Sequence, residues 1–392
     1  LANYRGNLGR DLLEHSKSWF DPINGSIYPH DDHGHGSHTM GTAVGRGGQE
    51  TSDSIGVAPG ARWIAVKAFS GAGIGYDSWI HAGFQWLLAP GGDPASAPDV
   101  VNCSWGSSNS RKTEFQDDIA ALEASGIFMV FSAGNDGPRV SSVGAPASLP
   151  GVFAVGASDP DDEIASFSAR GPTPWQEIKP YVVAPGVIVE SAVPGGIYSK
   201  KNGTSMAAPH VTGLVALMRS VSPTIKIRTL ANIIKSTAQP LGTSVPNNNS
   251  GWGRIDALAA LMKTTRPGQL TGTIRGLAGK PLANATVLAT SYKPTGGFIK
   301  ATTDLSGTYH LVLKPGLYDV KVTAFGYESR TQTQIRTITN TVDHMNFTLP
   351  PVPAGIVQGR ITVLQTGEAP TRTVTLQVLG SPARITPDQQ GY

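Results

Sequence analysis

A serine and a group of histidines carry the chemistry this sequence offers first. Ser205 stands in Asn202-Gly-Thr-Ser-Met-Ala-Ala-Pro-His-Val211, which reads as a loop entering a helix. Backbone N–H groups at a helix start lack partners and point toward negative charge. A serine there can attack a carbonyl while its own N–H helps hold the oxyanion. Gly203 leaves room for a substrate backbone. Ala207 and Ala208 keep the floor narrow. Pro209 reads as part of the first helical turn, where a missing N–H costs little. The plainer alternative is that Ser205 merely caps a helix, a position serine favours. His30, His33, His35 and His38 cluster upstream. Imidazole titrates near neutrality, so it can take a hydroxyl proton and return it to a leaving group. A zinc site would want Cys or Glu at ligand spacing beside His33 and His38. Neither stands there, and no metal ligand is assigned.

Taken whole, residues 202–211 resemble the serine signature of the subtilisin-like serine proteases. Asp32-His-Gly-His-Gly-Ser-His-Thr-Met-Gly41 resembles that family's histidine motif, with Ser37 replacing the usual Thr. The resemblance implies Ser205 as nucleophile and His35 as base, with His38 packed and His33 at the surface. Ser132-Ala-Gly-Asn135 resembles the family's oxyanion-hole motif, which implies Asn135 as a side-chain donor. Asn102-Cys-Ser-Trp-Gly106 resembles the strand that pairs with substrate backbone. Ser104, Trp105 and Gly106 are accordingly expected in one cleft wall, and Gly71–Gly75 in the other. An extended peptide would be held between them by β-type hydrogen bonds. Segments 166–172 and 179–186 also resemble family segments, although the family usually has an acidic residue where Tyr181 stands. The likeness covers about residues 1–262 and is closest to the branch of bacillopeptidase F-like enzymes.

In this family the acid precedes the histidine motif, in a string like Asp-Thr-Gly. No such string occurs before His35, and the acid is expected upstream of Leu1. Asp11, Asp21, Asp31 and Asp32 are weaker local substitutes. Asp21 lies in a turn-like stretch before Pro22. Asp31 and Asp32 are too close in sequence to reach His35 from the correct side.

The elements that must position these residues alternate in type. Apolar runs at Arg62–Phe69, Val100–Ser104, Ile127–Ser132, Val152–Ala157 and Tyr181–Ala184 read as strands. Helical patterns cover Asp77–Leu88, Thr113–Ala124, Ser205–Ser220, Ile227–Ser236 and Asp256–Lys263. This alternation predicts an α/β domain over residues 1–265, with a mainly parallel sheet and helices on both faces. From Gly268 onward period-two alternation takes over, as in Gly316–Ala324. An all-β sandwich is expected over 266–349, resembling the carboxypeptidase regulatory-like modules. Pro350-Pro-Val-Pro353 reads as a stiff linker. Val357–Ile361 echoes Leu270–Ile274, and Asp388–Tyr392 echoes Asp304–Tyr309. Residues 350–392 are therefore read as the linker and the start of a second, truncated copy.

The chain has 392 residues, one cysteine and a formal net charge of +3. Scattered Lys and Arg argue against nucleic acid, and no apolar stretch suits a membrane span. Cys103 alone excludes an internal disulfide framework. It is expected to be a buried thiol. The leading expectation is a secreted, monomeric serine endopeptidase acting on protein or peptide substrates. No cofactor is required. Asp159, Asp161, Asp162 and Glu163 could hold structural calcium, but a solvated acidic loop is preferred. A catalytically incomplete surface or binding protein on the same scaffold is the alternative, and an esterase or amidase acting on small substrates through the same residues is the third reading.

Overall fold

The expected strand–helix alternation recurs in the computed structural model. It describes residues 3–8, 13–46, 54–265, 267–292, 297–338, 341–353, 361–363, 366, 374–377 and 384–386. Two units are separated at residue 265, Leu1–Thr265 and Arg266–Tyr392.

In the first unit the order is β1 (Trp19–Phe20), α1 (His35–Val44), β2 (Ala65–Val66), α2 (Asp77–Leu88), β3 (Val100–Cys103) and α3 (Gln116–Ala124). It continues with β4 (Phe128–Ser132), β5 (Phe153–Ser158), β6 (Val182–Pro185), β7 (Val189–Val193), β8 (Ile197–Lys201), α4 (Thr204–Val221), α5 (Ile227–Thr237) and α6 (Ala257–Thr265). Strands β3, β4, β5 and β6 form a parallel sheet in sequence order. Both faces are covered, so the strands are apolar on both sides rather than alternating with polar residues. Phe128, Val130 and Val155 face Val211, Leu214, Leu230 and Ile234 of α4 and α5. Met129, Phe131 and Ala154 face Phe84, Leu87, Ile119 and Leu122 of α2 and α3.

The expected strand over 62–69 is reduced to Ala65–Val66, which pairs in parallel with Trp19–Phe20. Its partner is only two residues long, so the ladder cannot extend. The β7–β8 hairpin was not anticipated. Its strands pair antiparallel from Val189↔Lys201 to Val193↔Ile197 across Pro194-Gly195-Gly196.

The second unit contains β9 (Gly268–Gly276), β10 (Thr286–Ser291), β11 (Phe298–Thr302), β12 (Thr308–Leu313), β13 (Gly316–Thr323), β14 (Arg330–Thr337), β15 (Val342–His344) and β16 (Phe347–Leu349). One sheet has the order β11-β10-β13-β14. In the other, β9 pairs with β12, β15 and β16. Tyr318, Val320 and Val322 point into the shared core with Leu270, Ile274, Val287 and Leu311. Asp319, Lys321 and Thr323 take the other face, as the alternation requires. Beyond residue 353 a short antiparallel pair is described, β17 (Leu376–Gln377) with β18 (Arg384–Ile385). Most of the sequence echo, including 357–360 and 388–392, lies outside the described residues.

Candidate active site

The parallel strands deliver their carboxyl ends to one edge of the sheet, where ligands gather in folds of this class. Ser104 follows β3 and Asn135 follows β4. Ser205 is the second residue of α4 and His35 the first of α1. These two helices pack against each other. The approach is close because residue 213 is glycine: a Cβ there would lie 2.9 Å from the Ala43 carbonyl oxygen and 2.6 Å from Val57.

Ser205 is half-buried. Its hydroxyl donates to the Ser104 carbonyl at 3.2 Å, and among the described residues no hydrogen bond joins it to the His35 ring. The Ser205 N–H sits in the first helical turn, where intrahelical acceptors run out.

Asn135 is exposed, but its amide is oriented. Its Oδ1 accepts from both the N–H and the hydroxyl of Thr204, each at 2.9 Å. The Thr204 hydroxyl in turn accepts from the Gly134 N–H at 3.2 Å. Two donors on one atom settle which end of the amide is oxygen. The Nδ2 group is thereby turned toward Gly203. A Cβ on Gly203 would stand 3.6 Å from both Asn135 Nδ2 and the Ser205 nitrogen. Both donors thus border the position that a Gly203 side chain would take, with Met206 Sδ 3.7 Å from it, and Gly203 lies at φ 150°, a conformation side chains rarely adopt.

Asp31, not a residue of the helix itself, caps α1. Its carboxylate accepts from the N–H groups of His33 (3.0 Å), Gly34 (2.7 Å) and Ser37 (2.7 Å). Burial pushes this carboxyl up, but the amides of Gly34 and Ser37 with the Ser37 hydroxyl outweigh it and carry the pKa down to about 2. Asp32 pairs with the buried Lys67. Buried Asp21 is spent on the amides of Ile23, Asn24 and Ser26. Asp11 lies outside the described residues. Among the described residues, none of the proposed local carboxylates bonds the His35 ring.

The His35 pKa lies below its ordinary value. Burial is the main cause, the charges of Lys201 and His33 add to it, and Asp31 opposes. The shift favours the neutral ring, the form a base needs. His38 is fully buried. Its Nε2 lies 3.1 Å from the Val189 carbonyl and 2.9 Å from that of Ser199. The Ser191 hydroxyl donates to the His38 carbonyl at 2.8 Å. The unanticipated β7–β8 hairpin thus clamps the helix that starts with His35. The signal that could have found it is the Pro-Gly-Gly turn between two short alternating runs. His33 is exposed, as expected, with its ring 6.2 Å from that of His35.

The cleft-wall residues divide. Gly106 is exposed. Trp105 turns partly inward among Phe69, Phe84, Phe115 and Phe131, with ring centroids 5.6–6.0 Å away. The Ser104 side chain points away from the cleft, and the residue is 8% exposed. Cys103 is buried and burial drives its thiol pKa far up, which suits an inert thiol. Pro209 corrects an expectation. Helix α4 begins at Thr204, so Pro209 lies in its second turn, and its missing N–H is the one that would have served the Ser205 carbonyl.

Near Tyr181 the acidic side chain is that of Glu177, 3.7 Å from Lys179 Nζ. The Tyr181 hydroxyl donates to Glu177, and its ring centroid lies 3.8 Å from the buried Lys179 Nζ. In the acidic loop, Asp159 accepts from the amides of Asp161 (3.0 Å) and Glu163 (2.9 Å). Asp162 pairs with Arg254 at 3.2 Å. Among the described residues no group of three or more His, Cys, Asp or Glu is arranged to hold a metal. No helix among them is long and apolar enough to cross a membrane.

An α/β fold with a serine, a histidine and an oriented asparagine at the sheet edge defines a class of hydrolytic site, and comparison with known proteins specifies it. The subtilase family model matches residues 5–253, so the chain belongs to the subtilase family. The carboxypeptidase regulatory-like domain model matches residues 269–350. Bacillopeptidase F of Bacillus subtilis (strain 168) is 42% identical over 268 residues, covering 64% of this chain and 18% of that protein. Subtilisin DY of Bacillus licheniformis is 38% identical over 224 residues, covering 57% and 76%. Subtilisin E of Bacillus subtilis (strain 168) is 38% identical over 252 residues, covering 64% and 61%. The chain thus spans under a fifth of bacillopeptidase F and between three-fifths and four-fifths of these subtilisins.

Proposed function

We propose that this chain is a serine endopeptidase that cleaves extended or unfolded protein through an acyl-enzyme. Ser205 Oγ leaves the Ser104 carbonyl and attacks the scissile carbonyl carbon. Neutral His35 takes the hydroxyl proton and returns it to the leaving amine. Asn135 Nδ2 and the Ser205 N–H receive the oxyanion. Water, activated by the same histidine, then releases the acyl group. Ser104, Trp105 and Gly106 line one side of the substrate path, with the Ser104 contribution coming from its backbone. The steps use protein groups alone and require no cofactor. Secretion and a monomeric state complete the reading.

The observation that carries the proposal is the convergence of Asn135 Nδ2 and the Ser205 nitrogen on the position a Gly203 side chain would take, each 3.6 Å from it. Donors aimed where charge develops are the largest catalytic contribution in acyl transfer. The test is hydrolysis of a denatured protein by the full chain, before and after Ser205→Ala. Activity is expected in the first and loss in the second. Hydrolysis surviving the substitution overturns the proposal. Cleavage of small esters without peptides would favour an esterase, and binding of peptides without cleavage an inactive binding protein.

A further inference from the structure

An α-helix normally satisfies the carbonyl of residue i with the N–H of residue i+4. For Ser205 that residue is Pro209, which has no N–H. The carbonyl next to the nucleophile is therefore left without its helical donor. It is not left unpaired: the Ser104 hydroxyl donates to it at 2.8 Å. Ser104 is held in turn, since Asn102 Nδ2 donates to its Oγ at 2.9 Å. The Thr212 hydroxyl, two turns along α4 from Ser205, lies 3.1 Å from Asn102 Oδ1 and 3.3 Å from the Ala208 carbonyl. A return bond runs from the Ser205 hydroxyl to the Ser104 carbonyl at 3.2 Å. Strand β3 and helix α4 are thus joined by a polar chain that starts and ends on the helix.

We propose that the Ser104 hydroxyl is a positioning residue for Ser205, replacing the helical hydrogen bond that Pro209 removes, with Asn102 holding Ser104 in place. This inference rests on Ser205 being the nucleophile. The gap in the helix ladder gives the first turn of α4 a donor from the sheet instead of from the next turn. The Ser205 peptide is then referenced to β3, the strand that also borders the substrate path. Attack geometry and substrate position share one frame, which is what orientation of a nucleophile requires.

The test is a double-mutant cycle in the full chain with Ser104→Ala and Pro209→Ala. Ser104→Ala is expected to lower kcat about tenfold at nearly unchanged KM, and Ser104→Thr to restore it. Once Pro209→Ala returns an N–H to position 209, Ser104→Ala is expected to cost less than about twofold. Equal losses in both backgrounds, or a loss confined to KM, overturn the proposal. A second readout does not depend on catalysis. Ser205-Met206 is the sole Ser-Met pair in the sequence, so carbonyl-labelled serine with nitrogen-labelled methionine isolates this one peptide by NMR. Its carbonyl shift is expected to move on Ser104→Ala with Pro209 present and to hold still with Ala at 209. An unmoved shift in the Pro209 background overturns the proposal. If the parent chain does not react at Ser205, the protease reading fails, and the carbonyl shift alone still decides whether Ser104 supports that peptide.

Discussion

The proposed nucleophile and the proposed base each sit at the start of one of two packed helices, yet their surroundings are built differently. Around Ser205 the polar groups are closed into bonds: Ser104 on its carbonyl, and Thr204 on Asn135. Around His35 the bonds serve the helix rather than the ring. Asp31 caps α1, and His38 anchors it to the β7–β8 hairpin. The nucleophile side is prepared by direct contact, whereas the base side is prepared by placing its helix and favouring its neutral ring. Substitutions on the two sides should therefore fail in different ways.

The largest expected effect tests the roles themselves. His35→Ala should lower kcat by about 10²–10⁴-fold, measured with a peptide substrate, while leaving thermal stability nearly unchanged. A loss under about a hundredfold would remove His35 from the base role. Asn135→Ala should cost about 10²–10³ in kcat with little change in KM. An effect on KM alone would mean that this side chain binds substrate rather than the oxyanion.

The base side is sharper in its pH profile. His35 acts when neutral, so the acid limb of kcat/KM follows its pKa, which burial, Lys201 and His33 depress below the ordinary value. Lys201→Gln removes a positive neighbour and should move the limb to higher pH. Asp31→Ala removes the opposing negative charge and should move it lower, while costing about 1 kcal/mol of stability through the lost cap. Shifts in the same direction would contradict this picture of the electrostatics.

A remote change provides the control. Burial lowers the Lys179 pKa to about 7, and the nearby Glu177 only partly offsets it. The unfolded chain then holds more protons than the folded one between pH 7 and the ordinary lysine range. Stability should rise with pH across that window. In the Ser205→Ala background, which prevents self-digestion, Lys179→Met should flatten this rise. With Ser205 intact it should leave kcat unchanged. A pH 7 to 10 stability slope that is the same with and without Lys179→Met would contradict the depressed Lys179 pKa.

Much of the site was legible because its chemistry sits at element boundaries. Ser205 at a helix start and Asn135 just past a buried strand are positions where glycine, alanine and serine leave a local mark. What stayed hidden depends on contacts between segments far apart in sequence. The His38 bonds to Val189 and Ser199 span more than 150 residues, and no local pattern near His38 announces them. Pro209 stands past the first turn whether the helix starts at Thr204 or Ser205, so counting turns from the sequence already exposes the gap it leaves at the Ser205 carbonyl. What fills that gap, the Ser104 hydroxyl, comes from a segment about a hundred residues away and leaves no local mark. Strand β2 fell short of its apolar run because length in a sheet is set by the partner, here Trp19–Phe20.

The central claim is that Ser205 is an activated nucleophile beside a ready oxyanion site. Treating the full chain with a fluorophosphonate and mapping the adduct by mass spectrometry tests it most directly. The account predicts one phosphonylated residue, Ser205, with labelling that slows sharply in His35→Ala and more moderately in Asn135→Ala. Labelling at another serine, or at Ser205 with a rate indifferent to both substitutions, would contradict it.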